Sequence, residues 1–339
     1  MDKILEVNNL HVSFNTYAGE VKAVRGVSFH LEKKETLAFV GESGCGKSVT
    51  AKSILRLLNP SVAEIKKGSE IKYSGKDVLA MNKKELNSFR GQEISMIFQD
   101  PMTSLNPTMT VGKQIMESLK IHRNLNEADA KKEAIRILEL VKIPDAAKRV
   151  DSYPHELSGG MRQRVMIAIA LSCDPNVLIA DEPTTALDVT IQAQILHLIH
   201  ELKENLGTAV ILVTHDLGVV ANYADRIQVM YAGQIMERGS TPEIFQNAKH
   251  PYTWALLKSI PKLAKNTKEK LYTLLGTPPD LVLPLKGCPF AARCEYCMKI
   301  CKEEPPAEVS LSDTHKVSCW LMHPGAPKVK GFYEDEVLR

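Results

Sequence analysis

Thr36-Leu37-Ala38-Phe39-Val40-Gly41-Glu42-Ser43-Gly44-Cys45-Gly46-Lys47-Ser48-Val49 is the stretch on which the reading of this chain turns. Residues 36–40 are a nearly unbroken apolar run, the pattern of a buried strand. They lead into a loop with glycine at 41, 44 and 46, closed by a lysine and a serine. Behind the loop, Ala51, Ile54, Leu55 and Leu58 recur at helical spacing, which predicts an amphipathic helix ended by Pro60. Strand, glycine loop and helix together form the setting in which this spacing cradles phosphates. Glycines let successive backbone N–H groups curl around phosphate oxygens, and the helix N-terminus adds a positive dipole end. Lys47 can then reach the outer phosphates and Ser48 can offer its hydroxyl to Mg²⁺. The candidate ligands of a nucleotide are Gly41, Ser43, Gly44, Cys45, Gly46, Lys47, Ser48 and Val49. Cys45 reads as a bystander rather than a nucleophile.

Outward from the loop, the texture is that of an α/β protein. Segments 4–14 and 21–32 read as antiparallel strands, with Val27, Phe29 and Leu31 alternating with polar residues. Residues from about 108 to 170 read as helical, and within 127–141 Ala130, Ile135, Leu138 and Val141 share a face. Strands at 177–180 and 209–213 alternate with helices at 191–206 and 218–224, and a hairpin over 227–231 and 234–237 turns at Ala232-Gly233. This order predicts a largely parallel sheet covered by helices, an antiparallel layer at the start and a helical insertion. The strand 177–180 ends in Asp181 and Glu182. A strand end beside the phosphate loop suits Asp181 to the metal, through water, and Glu182 to the attacking water. Leu157-Ser158-Gly159-Gly160-Met161-Arg162-Gln163-Arg164 precedes an apolar helix and forms a second serine–glycine helix tip. One phosphate loop already serves the chain's own nucleotide, so this tip suits the nucleotide of another subunit.

With these motifs in order, residues 1–245 resemble the ABC ATPases, which are P-loop NTPases with a RecA-like core, an antiparallel β layer and a helical subdomain, here at about 100–170. Ser158, Gly159 and Gly160 look like the family signature, with Met161 where glutamine is commoner. Gln99, after a strand at 94–98, resembles the glutamine that senses Mg²⁺ and water and faces the membrane partner. Ala186-Leu187-Asp188 resembles the D-loop, and His215 the histidine that holds the γ-phosphate. The family stacks an aromatic ring on adenine; Tyr17 is the candidate and Phe14 the runner-up. The resemblance implies an enzyme hydrolysing ATP with Mg²⁺, two such domains closing head to tail around two nucleotides. Lys47, Gln99, Glu182 and His215 would carry the catalytic roles.

Gln99-Asp100-Pro101-Met102-Thr103-Ser104-Leu105-Asn106-Pro107, His250-Pro251-Tyr252-Thr253 and Gly276-Thr277-Pro278-Pro279-Asp280-Leu281 resemble ATPases of dipeptide and oligopeptide importers, above all the D-type subunits. The implied partners are a second ATPase subunit of a different chain, two integral membrane permease subunits and, indirectly, an extracytoplasmic substrate-binding protein. The place of work would be the cytoplasmic face of the membrane. Importers of nickel or oligosaccharides use related ATPases, so the cargo is an inference from resemblance alone.

Beyond residue 245 prolines recur and cysteines crowd, and 246–339 reads as an irregular, Cys-rich C-terminal extension held by something other than a large core. Cys288, Cys294, Cys301 and Cys319 resemble the cysteine pattern of that group's extension, with Cys297 extra. Four thiolates can hold a [4Fe–4S] cluster or zinc, which spacing does not separate. The resemblance favours the iron–sulfur cluster, with Zn²⁺ and unligated thiols as alternatives. Cys297 would be a free thiol or an alternative ligand, and His315 reads as an ordinary surface residue.

Composition bounds these readings. The 339 residues are 44% apolar and 24% charged with a net charge of +3, a balance that supports an ample core. Basic and acidic residues interleave, as in Lys131-Lys132-Glu133, which argues against nucleic acid as a partner. No run approaches the ~20 apolar residues that cross a bilayer. Met1-Asp2-Lys3-Ile4-Leu5-Glu6-Val7 lacks the apolar region of a signal peptide, so a cytoplasmic chain is expected. A soluble ABC protein acting on DNA or ribosomes is disfavoured by the single ATPase domain, the lack of a coiled-coil insertion between Gln99 and Ser158, and the lack of a basic tail. A purely regulatory subunit is disfavoured by Glu182 and His215.

Overall fold

Val177–Asp181 shows why this sequence makes a buried sheet: each of its residues is buried, and so are those of Ile94–Ile97 and Ala209–Thr214. Near-continuous apolar runs are what parallel strands covered on both faces require. Val177–Asp181 indeed runs parallel to both neighbours, Ala180 standing opposite Ile97 on one side and Leu212 on the other. The computed structural model describes residues 2–185, 187–260 and 274–329; Ala186 of the expected D-loop lies outside them. The chain divides into two compact units, one of residues 1–5, 31–36 and 72–213, the other of 6–30, 37–71 and 214–339.

The first unit packs helices on those parallel strands. Val111–Arg123 starts at Thr110, whose side chain accepts from the Lys113 N–H, and buries Val111, Ile115, Met116 and Leu119; Asn124 ends it at φ 52°. Asn126 caps Glu127–Leu140, with Glu127 and Asp129 in the first turn, where acids complement the helix dipole. Its buried face is Ala130, Ala134, Ile137 and Leu138, while Ile135 is only half-buried, one step round from the expected stripe. Gly159–Leu171 packs against both of these helices and against Ile94–Ile97. Val189–Leu206 ends at Gly207, which takes the left-handed conformation at φ 69°.

In the second unit, residues 37–40 of Thr36–Val40 pair in parallel with Arg226–Tyr231, which turns antiparallel into Gln234–Ser240. Lys316–Ser318 and Glu308–Ser310 then extend the same sheet, Val317 standing opposite Glu237. A second sheet holds most of the long strands Lys3–Thr16 and Gly19–Glu32, with Ala63–Ile65 antiparallel to the former. The core gathers Ala38, Val40, Ile227, Val229, Tyr231, Tyr252, Trp254 and Phe290. Tyr231, Tyr252 and Phe290 form a mutually packed triad with ring centroids 4.7, 5.2 and 5.3 Å apart.

Three expectations change here. The helix after the glycine loop is Lys47–Ile54, and Arg56 at φ 51° breaks the helical path before Leu58 and Pro60 are reached. The helix expected at 218–224 is the single turn Leu217–Val220, started by Asp216, whose carboxylate accepts from the Gly218 N–H at 2.8 Å. His315 is buried, not a surface residue: its Nε2 lies 2.8 Å from the Glu237 carboxylate, itself fully buried and accepting from the N–H groups of Lys249 and His250. A polar side chain stays buried where its hydrogen bonds are made there, and no local sequence pattern announced that Glu237 would be the partner.

Candidate nucleotide-binding site

The second unit carries the phosphate loop. Gly41 and Gly46 hold it where no side chain fits: a Cβ would lie 2.1 Å from the Met230 carbonyl oxygen at Gly41 and 2.5 Å from that of Ala23 at Gly46. Gly46 at φ 102° is also the N-cap of Lys47–Ile54. The Lys47 ammonium is buried and donates to the carbonyl oxygens of Gly41 at 2.7 Å and Glu42 at 3.0 Å. Ser43 and Gly44 are exposed at the loop tip, and Ser48 and Val49 are half-buried on the first turn. A tight turn of backbone donors, a lysine lodged at its base and a hydroxyl on the helix tip are a donor set that fits a phosphate chain with its Mg²⁺. Cys45 is buried, its thiol pushed up by burial, which suits the bystander reading. Tyr17 stands fully exposed in the turn after Lys3–Thr16, and Phe14 is half-buried. His215, next to the cap residue Asp216, is exposed.

The first unit carries the carboxylates. Asp181 is buried at the end of its strand. Glu182 follows at φ 48°, its N–H bonded to the Val213 carbonyl at 2.9 Å. Its carboxylate accepts from Gln99 Nε2 at 2.8 Å and from Thr185 Oγ1 at 3.0 Å. The fold thus joins Gln99 and Glu182, 83 residues apart in sequence. Thr185 was passed over by the sequence reading, although its spacing of three from Glu182 is the one local signal that could have found it. Ser158 and Gly159 are exposed at the tip of Gly159–Leu171, where Ser158 Oγ accepts from the Met161 N–H at 3.3 Å, and Gly160 is half-buried. Asp188 is exposed and caps Val189–Leu206 by accepting from the Ile191 N–H at 2.9 Å.

Comparison with known proteins bears on this geometry. The ABC transporter family model matches residues 24–185, and a model of the oligopeptide/dipeptide transporter C-terminal region matches 236–301. The oligopeptide transport ATP-binding protein OppD of Bacillus subtilis (strain 168) is 58% identical, over 97% of this chain and 91% of that protein. The dipeptide transport ATP-binding protein DppD of the same organism is 56% identical over 95% of each. The chain belongs to the ABC transporter ATP-binding family. Among solved structures, the dimeric post-hydrolysis state of the ATP-binding cassette MJ0796 bound to ADP and Pi superposes with a TM-score of 0.62 at 26% identity. That match covers 70% of this chain and 98% of the cassette. The ABC ATPase fold and ATP hydrolysis expected from the sequence are thereby established.

In this ABC ATPase the expected [4Fe–4S] cluster, with its zinc alternative, is corrected. Cys288, Cys294, Cys301 and Cys319 do come together, lining an apolar cavity with His250 and Phe290, but its volume is about 10 Å³. That is room for about one water centre, not for an iron–sulfur cube. Among the described residues no group of three or more His, Cys, Asp or Glu side chains is disposed to hold a metal ion. Burial pushes the Cys294 and Cys319 thiols up to about 12 and Cys288 to about 11. Aromatic packing, through Tyr252, Trp254 and Phe290 in the shared core, helps hold the described residues beyond 246. Sequence reading missed that Tyr252 and Arg293 touch the phosphate loop at Glu42, a contact across more than 200 positions.

Proposed function

We propose that this ABC ATPase powers the import of di- and oligopeptides through a membrane transporter. Relatives named for oligopeptide and dipeptide transport, similar over nearly the whole chain, support the cargo. The observation that carries the hydrolytic reading is the Gln99–Glu182 hydrogen bond of 2.8 Å beside Asp181, a carboxylate and an amide poised to orient one water. In this reading Lys47 and the backbone of Gly41, Ser43, Gly44, Cys45, Gly46 and Val49 hold the phosphates, and Tyr17 stacks on adenine. Ser48, Asp181 and Gln99 attend Mg²⁺, which supplies charge neutralisation when bound. Glu182 orients the water and His215 holds the γ-phosphate. Ser158, Gly159, Gly160 and Asp188 serve the nucleotide of the neighbouring ATPase subunit. Catalysis is then positioning and electrostatics rather than covalent chemistry.

Residues 1–245 form the nucleotide-binding domain in this proposal, with a helical subdomain at about 100–170, and 246–339 a Cys-rich extension. No helix among the described residues is long and apolar enough to cross a membrane. Transport then requires partners: a second ATPase chain, two permease subunits and, indirectly, an extracytoplasmic binding protein, with this chain peripheral on the cytoplasmic face. The test is uptake by proteoliposomes holding the full complex. ATP-dependent accumulation of labelled di- or tetrapeptides is expected. Accumulation of nickel or an oligosaccharide with no peptide uptake would overturn the cargo.

A further inference from the structure

Glu42, the second residue of the phosphate loop, is held at three points. Its backbone N–H donates to Tyr252 Oη at 2.9 Å. Its carboxylate takes two parallel bonds from the Arg293 guanidinium, at 2.5 and 2.9 Å. Its carbonyl oxygen accepts from the Lys47 ammonium at 3.0 Å. Arg293 is itself fixed: its side chain is 4% exposed, donates through Nε to the Leu275 carbonyl at 3.0 Å and through Nη1 to Tyr231 Oη at 3.2 Å, and its guanidinium lies 5.8 Å from the centroid of the Tyr231 ring. A planar fork meeting a carboxylate along two bonds sets orientation as well as position. The Glu42 carboxylate stays partly open to solvent, while the guanidinium that grips it is enclosed, so the fork ties the loop to a fixed point.

We infer that Arg293 is a positioning residue of nucleotide binding, acting through Glu42 on Lys47. The chain of contacts is short. Arg293 orients the Glu42 side chain, Tyr252 pins the same residue's N–H, and the Glu42 carbonyl holds the ammonium that meets the phosphates. Both supports come from beyond residue 246, so that region is a working part of the ATP site rather than an appendage. It also explains why Arg293 stands among the cysteines: Phe290 and the cavity wall seat the Ala291–Arg293 turn from which the guanidinium extends.

The inference rests on residues 41–48 being the nucleotide loop, and the test separates the two. In the assembled transporter, Arg293→Lys keeps the charge but loses the fork, and Glu42→Gln keeps the shape but loses the charge. Each is expected to raise KM for ATP by about tenfold while kcat changes less than about threefold, the signature of lost binding rather than lost chemistry. Because both act through one contact, Glu42→Gln/Arg293→Lys should be about as impaired as either single variant, not the product of the two. Unchanged KM in variants that melt like the parent, or effects that multiply, would overturn the inference. Should the Arg293 variants melt early, Glu42→Gln carries the test: it removes the charge that the Arg293 fork grips, and an unaltered KM there also overturns the inference. Lys47→Ala is the reference. If it binds ATP like the parent, the loop reading itself fails; if it loses ATP while the Arg293 variants do not, only the present inference fails.

Discussion

Glu182 sits in a left-handed conformation that few non-glycine residues adopt, at φ 48°. Such a backbone costs on the order of 1 kcal/mol and persists where its surroundings impose it. Here the imposition is visible in the Val213 carbonyl beneath it and in Gln99 and Thr185 at its carboxylate. Glu182→Gln keeps the shape and removes the charge that would polarise water. Its turnover in the assembled complex should fall at least about 100-fold while ATP affinity stays within about threefold; phosphate release against equilibrium nucleotide binding measures the two separately. Gly46 makes a different prediction. A methyl group there would meet the Ala23 carbonyl oxygen at 2.5 Å, at φ 102°. Gly46→Ala should therefore lose nucleotide binding and lower stability by roughly 2 kcal/mol or more, seen in a denaturant melt.

Thr241–Asn247 illustrates how one short helix ties distant segments together. Ser240 and Glu243 form a capping box, and the Glu243 carboxylate also accepts from Ser312 at 2.5 Å and Thr314 at 2.7 Å. Burial works against its charge, yet the hydroxyls of Ser312 and Thr314 and the Ser240 N–H prevail and hold its pKa at about 2. A carboxyl depressed from the ordinary 4.5 in the folded state stabilises fully above 4.5 and loses that contribution as pH falls towards 2. Glu243→Gln should cost about 1–2 kcal/mol at neutral pH and flatten the stability profile between those two values, read from melting temperature against pH. The aromatic triad is the other support of this region. Phe290→Ala should cost about 3–5 kcal/mol, and its melt should be unaffected by chelators if packing, not metal, holds the segment.

For the assembled molecule, the informative residue is Ser158. It stands exposed on a helix tip, where its Oγ accepts a 3.3 Å bond from Met161 N–H in the chain's own cap. If that tip completes a neighbour's site, Ser158→Arg should leave ATP binding by the isolated subunit within about twofold of the parent. It should also cut ATP hydrolysis by the full transporter at least about tenfold. Equal hydrolysis by variant and parent complexes would remove the head-to-tail arrangement.

The strand–loop–helix at residue 40, the parallel strands ending in Asp181 and Thr214, and the hairpin at Ala232-Gly233 were legible because each is local. Apolar period, glycine placement and caps act over a few residues, and backbone sterics turn them into structure directly. The motif order that marks an ABC ATPase is likewise written along the chain. Only the tertiary structure decided that Gln99 meets Glu182, that His315 lies buried against Glu237, and that Arg293 grips the phosphate loop. Those are pairings of single polar side chains far apart along the chain, chosen by which surfaces the core brings together. The cysteines make the same point in reverse: spacing suggested a metal, while the aromatic core around Phe290 had already supplied the burial that holds the segment.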